Sequence, residues 1–336
     1  MNSISVIIPN YNRASVVGAT IQNMLNQTLP PKEIIVVDDG SIDNSVEVIR
    51  SFGSRVCLIE QANQGPGAAR NRGLEVASGE FIQFMDSDDL SSLNKLEVQM
   101  AVLQQTRADF AYSPWVRTAI KGKQLCFRSP VLQGEALPVE KTMLEWQLGN
   151  WCAIFQSFLF RRSVLDAAGR YRTDMKIAED GEYLVRILLT GAQPAFTDEC
   201  LVFYRTDGED QLTENARTRK SQAEDLTKYF ELIGEALVDN FSTMHPSTLR
   251  EAALQLYRHN QYCHQQGWRM VPKTNPLVRL VDNYPTALLR WFDACDRLGR
   301  KLSRTSEKIP TCKGLKLRLP SQQDYNFAQQ IGFTAS

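Results

Sequence analysis

The residues best suited to chemistry are the acidic cluster at 86–89 (Asp-Ser-Asp-Asp), which directly follows the mostly apolar run at 81–85. In open α/β sheets, ligands bind just outside the carboxyl ends of the strands, where such a run would place these side chains. Asp86 and Asp88 can converge there on one hard divalent cation, Mn²⁺ or Mg²⁺, which prefers oxygen ligands and shares its coordination sphere with substrate phosphates. The alternative interpretation is that these Asp residues merely cap the following helix, since Ser-Asp-Asp-Leu before an apolar-periodic run is also a cap signature, and the cluster alone fits both.

Two further apolar runs end in polar groups. The run at 4–8 leads into 9–13 (Pro-Asn-Tyr-Asn-Arg). The Tyr ring and the Arg side chain of this segment could lie near a nucleobase and its phosphates. The run at 33–37 leads into 38–41 (Asp-Asp-Gly-Ser), where one Asp can accept hydrogen bonds from a base or a ribose. Ordinary turns and a helix cap explain both segments as well.

A Gly-rich segment at 63–73 enters a helix and carries Arg70 and Arg72. Backbone amides and arginines of this kind suit a diphosphate, although the segment matches neither the Walker loop nor the G-x-G-x-x-G fingerprint. The alternative is that its small residues let the helix pack close to a sheet.

Glu179 and Asp180 precede the amphipathic run at 183–188. The helix dipole favours acidic side chains in a first turn, and this explanation needs no function. A carboxylate facing a metal-bound diphosphate across a cleft would instead act as a general base toward a hydroxyl nucleophile.

Strand-like and helical runs alternate over the first hundred residues, with strands expected at 4–8, 33–37, 55–60 and 80–85. Such alternation predicts a parallel sheet with right-handed crossovers, covered on both faces. A strand at 109–115 and a hairpin at 116–127 open a smaller mixed region, and from about residue 211 the pattern is helical.

The composition of the 336-residue chain argues against several classes of protein. Basic and acidic residues number 38 each, so no global field attracts nucleic acid, and we expect no nucleic-acid partner. Seven cysteines without a C-x-x-C pair argue against a disulfide framework or structural zinc. The strand expected from Ile4 leaves no room for a signal peptide, and no apolar run reaches the roughly 18–20 residues of a membrane span. A cytoplasmic location is the resulting expectation.

Taken together, these segments resemble the family 2 glycosyltransferases, nucleotide-sugar enzymes of the GT-A fold. The matching segments span about residues 3–206 and lie at 6–12, 36–41, 63–71, 86–89, 158–171, 179–180 and 204–205. The resemblance implies an α/β, Rossmann-like, mostly parallel sheet flanked by helices, with a helical C-terminal extension. We expect a domain at 1–210, with a nucleotide-binding half at 1–105 and an acceptor-side half at 106–210, followed by a helical region at 211–336.

The resemblance also implies residue roles. The residues expected to bind the nucleotide-sugar donor are Pro9, Tyr11, Asp39, Arg70 and Asp86. Asp86 and Asp88 match the family's D-x-D motif, in which the second Asp is the surest ligand of Mn²⁺ or Mg²⁺.

Asp180 matches the carboxylate that removes the acceptor's proton, with Glu179 as the less favoured stand-in. Asp207 departs from the pattern, because many relatives have at that position a His that can contact the metal or the diphosphate.

The implied function is inverting transfer of a sugar from a nucleotide-sugar, most simply UDP-linked, to a hydroxyl of a glycan or lipid-linked acceptor. One rival is a sugar nucleotidyltransferase, which needs a basic Gly-rich loop after the first strand, where this chain has residues 9–11 (Pro-Asn-Tyr). The other rival is an inactive nucleotide-sugar-binding or scaffolding protein.

The C-terminal third contains no motif that points to chemistry. Trp146 and Trp151 are candidates for sugar stacking, with core packing the favoured alternative. Nine basic residues against three acidic ones between 290 and 318 suit either peripheral contact with an anionic membrane or a solvated helical face.

Overall fold

The computed structural model describes residues 3–122, 124–137, 142–148, 154–207, 219–282 and 318–335. Within these ranges the chain forms a seven-stranded sheet, a five-stranded sheet and flanking helices.

The first half of the chain alternates strands and helices, as predicted. The elements are β1 (Ile4–Asn10), α1 (Val17–Leu25), β2 (Glu33–Asp38), α2 (Ser45–Arg50), β3 (Cys57–Glu60), α3 (Pro66–Val76), β4 (Phe81–Phe84), β5 (Leu90–Ser91) and α4 (Lys95–Thr106). The strand predicted at 55–60 is shorter than expected, because Gly53–Arg55 forms a 3₁₀ turn before it.

The second half carries the mixed region. Its elements are β6 (Phe110–Tyr112), β7 (Trp115–Lys121), β8 (Gln124–Phe127), α5 (Met143–Leu148), β9 (Phe158–Arg161), α6 (Arg162–Ala168), α7 (Glu179–Leu189), β10 (Pro194–Phe196) and β11 (Val202–Arg205). The hairpin of β7 and β8 is confirmed. The single strand predicted at 109–115 is wrong, because the chain leaves one sheet after β6 and enters the other at β7. Pro114 lies at this crossing and has no N–H for a sheet hydrogen bond.

The large sheet has the strand order β10-β6-β9-β4-β1-β2-β3. Strands β4, β1, β2 and β3 run parallel, and β9 lies antiparallel between β4 and β6. The predicted mostly parallel sheet is therefore confirmed. Because β1, β2 and β4 are parallel neighbours, the polar segments that follow them meet at one edge.

Both faces of this sheet are buried. Ile7 and Ile35 face a core cluster formed with α3, α6 and α7, whereas Val6 and Ile34 face a second cluster formed with α1 and α4. A Cβ on Gly73 of α3 would collide with the side chain of Ile7. Close packing of the helix on the sheet thus accounts for a small residue in the Gly-rich segment.

The C-terminal region begins with α8 (Arg219–Leu237), α9 (Pro246–Gln266) and α10 (Pro276–Asp282). Their apolar faces form a cluster that includes Leu148 of α5 and Val185 of α7, so these helices pack on the half that carries Asp180. The helical prediction from residue 211 is right for these three elements.

The end of the chain returns to the small sheet, ordered β12-β8-β7-β11-β5. Helix α11 (Gln322–Gln330) leads into β12 (Thr334–Ala335), which pairs with β8. The prediction that strands cease after residue 211 is wrong here, since a two-residue strand has no readable periodicity.

The basic stretch at 290–318 lies outside the described residues, except for Arg318, which forms an ion pair with the buried Asp324. The helices of the described ranges include none that combines the length and apolar character of a membrane span.

Candidate active site

One cleft of about 750 Å³ lies where the carboxyl ends of β1, β2 and β4 meet the start of α7. Its walls include the residues that the family resemblance assigns to the donor, the metal and the base: Pro9, Tyr11, Asp39, Arg70, Asp86, Asp88 and Asp180. The parallel strands bring the donor-side residues together, and α7 supplies Asp180 from the opposite side.

Arg70 lies at the centre of this arrangement, with only 4% of its side chain exposed. Its Nη2 donates to Oδ1 of Asp86 at 2.9 Å, and its Nη1 donates to Oε1 of Glu179 at 2.9 Å. The same Nη1 lies 3.3 Å from Oδ1 of Asp180. One guanidinium group therefore joins the acidic cluster after β4 to the acidic first turn of α7.

The two acids of α7 differ in accessibility. The side chain of Asp180 is 28% exposed and that of Glu179 is 8% exposed. Burial raises the pKa of Asp180, and the charge of Asp86 raises it further, whereas Arg70 lowers it. Burial and the charge of Asp180 likewise raise the pKa of Glu179. Asp180 is thus the more accessible carboxylate, and its raised proton affinity suits a general base.

The acidic cluster after β4 is held by its neighbours in the fold. Nε2 of Gln156 donates to Oδ2 of Asp86 and, at 2.8 Å, to Oδ2 of Asp89. The backbone N–H of Arg205 in β11 donates to Oδ1 of Asp89 at 2.8 Å. Asp88 forms an ion pair with Arg13, whose Nε lies 3.2 Å from Oδ2.

The helix-cap interpretation of this cluster is wrong. Leu90–Ser91 forms β5 directly after the cluster, and α4 begins only at Lys95, preceded by Asn94. The Asp89 carboxylate instead ties the cluster to β11 and to Gln156.

The cluster suits a divalent cation of the Mg²⁺ or Mn²⁺ type. Asp86 and Asp88 both line the cleft, and burial together with the charge of Asp86 raises the pKa of Asp88. The described residues contain no group of three or more His, Cys, Asp or Glu that could hold a metal. Enzymes typically bind Mg²⁺ through one or two carboxylates, and substrate phosphates and water complete the coordination sphere of the cation. Asp86 and Asp88 would supply two such carboxylates.

The nucleotide side of the cleft presents Tyr11, whose side chain is 44% exposed, and the buried Asp39. Oδ1 of Asp39 accepts hydrogen bonds from Nε2 of Gln61 and N of Gln64, and Oδ2 accepts one from N of Gly65. Asp39 therefore orders the Gly-rich segment, and a carboxylate oxygen with one such bond can accept another from a ligand.

Some of the groups that the Gly-rich segment offers to a diphosphate have partners within the protein. The amides of Gln64 and Gly65 donate to Asp39, and Arg72 forms an exposed pair with Glu75 at 2.8 Å. Asn63, Gly65, Pro66 and Ala69 of the segment line the cleft together with Arg70, whose guanidinium group is paired with acids.

Sequence reasoning missed residues whose partners are distant in the chain. Asp225 of α8 accepts hydrogen bonds from the backbone N–H groups of Lys176 and Ile177 at 3.0 and 3.1 Å. Gly181 of α7 packs against the ring of Tyr229, which is also on α8. The C-terminal helices thereby fix the segment that leads to Asp180, a role for which α8 carries no recognisable motif.

The structure also shows the surroundings of Asp207 and Trp146, two further residues singled out in the sequence. Asp207 accepts hydrogen bonds from Nε of Arg205 at 2.6 Å and from the backbone N–H of Ile120 at 2.9 Å, so it anchors an arginine that lines the cleft. Trp146 is half-buried against the main core, which favours the packing interpretation, and Trp151 lies outside the described residues.

Comparison with known proteins relates the chain to glycosyltransferases. The family described as Glycosyl transferase family 2 matches residues 5–169. Glycosyltransferase GlyG of Streptococcus pneumoniae is 41% identical over 215 residues, covering 60% of this chain and 70% of GlyG. The Escherichia coli UDP-Glc:alpha-D-GlcNAc-diphosphoundecaprenol beta-1,3-glucosyltransferase WfgD is 39% identical over 111 residues, covering 32% of this chain and 44% of WfgD. The chain spans only 18%, 23% and 52% of three other curated glycosyltransferases that it matches.

The fold has a counterpart among solved structures. S. aureus TarS 1–349 in complex with UDP has a TM-score of 0.60 at 18% identity, over 95% of this chain and 97% of TarS. At this identity the likeness concerns the fold, and it confirms the predicted GT-A-type α/β architecture. The family match and the 41% identity to GlyG over 70% of its length show that the chain belongs to glycosyl transferase family 2.

Proposed function

We propose that this chain transfers a sugar from a nucleoside-diphosphate sugar to a hydroxyl of a glycan or lipid-linked acceptor, with inversion at the anomeric carbon. The observation that carries the proposal is the shared cleft, in which Asp86 and Asp88 lie on the donor side and Asp180 at the start of α7. Direct displacement requires a base and a leaving group on opposite sides of the sugar, and the proposal assigns the base to Asp180 and places the leaving diphosphate beside Asp86 and Asp88.

Asp180 acts as the general base. A sugar hydroxyl is a poor nucleophile, and a positioned base accelerates such a step by about 10²–10⁴-fold. The carboxylate takes the hydroxyl proton as the acceptor oxygen bonds to the anomeric carbon and the bond to the diphosphate oxygen breaks. Arg70 holds this carboxylate in place through its contact with Oδ1.

Asp86 and Asp88 would hold a divalent cation, Mn²⁺ or Mg²⁺, which offsets the negative charge that develops on the leaving nucleoside diphosphate. Tyr11 offers the donor's nucleobase an exposed ring, and Pro9 offers it an apolar wall. Asp39 offers a hydrogen-bond acceptor to the nucleobase or the ribose.

The donor and the acceptor are proposed from the relatives. The name of WfgD describes a UDP-Glc donor and a diphosphoundecaprenol-linked acceptor, and TarS 1–349 has been solved with UDP-GlcNAc. A UDP-linked sugar and a lipid-linked glycan are therefore the first substrates to try.

The test begins with a thermal-shift screen of nucleotide-sugars with and without Mn²⁺, because ligand stabilisation grows with affinity. The donor that stabilises most is then incubated with lipid-linked and free glycan acceptors, and released nucleoside diphosphate is measured. Release that depends on an acceptor, with an inverted linkage by NMR, supports the proposal. Stabilisation by a donor without release across the acceptor panel, even with Mn²⁺, favours the inactive binding protein.

A further inference from the structure

Arg13 and Asp88 form an ion pair inside the cleft. Nε of Arg13 lies 3.2 Å from Oδ2 of Asp88, and the two side chains are 21% and 23% exposed. Asp88 is also the residue to which the proposed function assigns the divalent cation. A guanidinium group of the protein therefore occupies one of the two Asp88 oxygens that the proposed cation could use.

The backbone around Arg13 is fixed. Three consecutive N–H groups donate to side chains in the segment after β2, each at 2.9 Å: Asn12 to Ser41, Arg13 to Ser45, and Ala14 to Asp43. The side chain of Asn12 in turn accepts from the N–H of Ile42 at 2.8 Å. Any movement of the Arg13 guanidinium is thus confined to its own side-chain torsions.

The negative charges around Asp88 favour a positively charged partner next to it both before and after the donor binds. Asp88 lies next to the half-buried Asp86 and the buried Asp89, and the like charges of these carboxylates repel. Arg13 offsets this repulsion through its ion pair. A divalent cation bound with the donor's diphosphate would supply the same compensation more strongly, and it would bring phosphate oxygens within the cleft that Arg13 lines.

We propose that Arg13 is an exchangeable counter-ion of the site. Its guanidinium group neutralises Asp88 before the substrate binds and turns to the donor's diphosphate when the cation takes its place. Guanidinium groups match phosphate oxygens in geometry and charge. This inference rests on the proposed donor and cation site, and it predicts that cation and nucleoside diphosphate bind cooperatively, with each improving the affinity for the other by the same factor.

The test measures binding of Mn²⁺ and UDP to the full chain and to the variant Arg13→Gln. Free Mn²⁺ is quantified by electron paramagnetic resonance and UDP affinity by calorimetry. In the variant, Mn²⁺ alone should bind about 1.5- to 5-fold more tightly, as loss of a partly exposed competing ion pair allows. UDP at saturating Mn²⁺ should bind about tenfold or more weakly, as loss of a charge-assisted hydrogen bond implies.

Two variants control for charge and fold. Arg72→Gln removes the same charge from the exposed pair with Glu75 and should leave both affinities unchanged. Arg13→Lys keeps the positive charge and should retain weak binding of Mn²⁺ alone. Thermal melting of each variant shows whether the fold is intact.

The inference is overturned if Arg13→Gln binds Mn²⁺ alone no more tightly than the unsubstituted chain, or if the coupling between Mn²⁺ and UDP is unchanged. It is also overturned if the unsubstituted chain binds UDP equally well with and without Mn²⁺. Acceptor-dependent release of nucleoside diphosphate is measured separately, so transfer can persist when the exchange fails.

Discussion

Nη1 of Arg70 lies 3.3 Å from Oδ1 of Asp180, and this contact joins α3 to the first turn of α7. The other arm of the same guanidinium binds Asp86 at 2.9 Å. The proposed base and the proposed cation ligand are therefore held at a fixed separation by one buried side chain. Transfer by direct displacement depends on the relative placement of these two groups, because a small misplacement of a reacting group lowers the rate strongly.

Replacing Arg70 with Met should destabilise the protein strongly. Arg70 is 4% exposed and compensates Asp86 and Glu179, and removing one partner of a buried ion pair typically costs about 3–5 kcal/mol. Urea unfolding monitored by circular dichroism measures this loss. Arg72→Met, which removes the same charge from an exposed pair, should cost at most about 1 kcal/mol. Equal costs for the two variants would show that the Arg70 contacts do not support the site.

Replacing Asp88 with Ala should weaken metal-dependent donor binding. We expect UDP affinity measured with Mn²⁺ to fall, whereas the weaker affinity measured with a chelator should change little, since Asp88 acts through the cation. Calorimetry with and without Mn²⁺ separates the two quantities. If Mn²⁺ improves UDP binding to the variant as much as to the unsubstituted chain, Asp88 is not a ligand.

The pH dependence of transfer should reflect Asp180. A general base must be deprotonated, and burial and Asp86 raise the pKa of Asp180 above its ordinary value of 3.8. Turnover should therefore be level at high pH and fall about tenfold per pH unit below this raised pKa. The measurement is kcat against pH at saturating donor, with UDP binding followed over the same range. An acidic limb no higher than that of an ordinary aspartate would contradict the assignment.

Replacing Asp225 with Ala should lower kcat more than it changes the KM for the donor. Asp225 holds the N–H groups of Lys176 and Ile177, and misplacing a reacting group by about 1 Å can cost about 10²-fold. Glu224→Ala is the matched control, because this neighbouring acid forms an exposed pair with Lys220. A rise in the donor KM with an unchanged kcat would assign α8 to substrate binding and not to the base.

The sequence predicted those parts of the molecule that follow from local pattern. The apolar runs leading to Asn10, Asp38 and Asp86 end at one sheet edge because parallel strands share direction, so the donor side of the cleft was predictable. The acidic first turn of α7 was visible from its helical periodicity, and family resemblance assigned Asp180 its role.

The contacts that tune the site were not predictable in this way. Gln156 binds Asp86 and Asp89 from 70 and 67 residues away, and Asp225 reaches the segment before Asp180 from a helix without a motif. No periodicity encodes such pairs, because each depends on how distant elements pack. The path from β6 to β7 was missed for the same reason, since both strands have similar local patterns but lie in different sheets.

The central claim is that Asp180 performs proton transfer and does not bind the donor. The most direct measurement compares Asp180→Asn with the unsubstituted chain in acceptor-dependent transfer and in UDP binding with Mn²⁺. Asn has nearly the same shape but cannot take the proton, so transfer should fall by about 10²–10⁴-fold while UDP affinity stays within about twofold. Transfer near the original rate, or an equal loss of transfer and UDP binding, would contradict the claim.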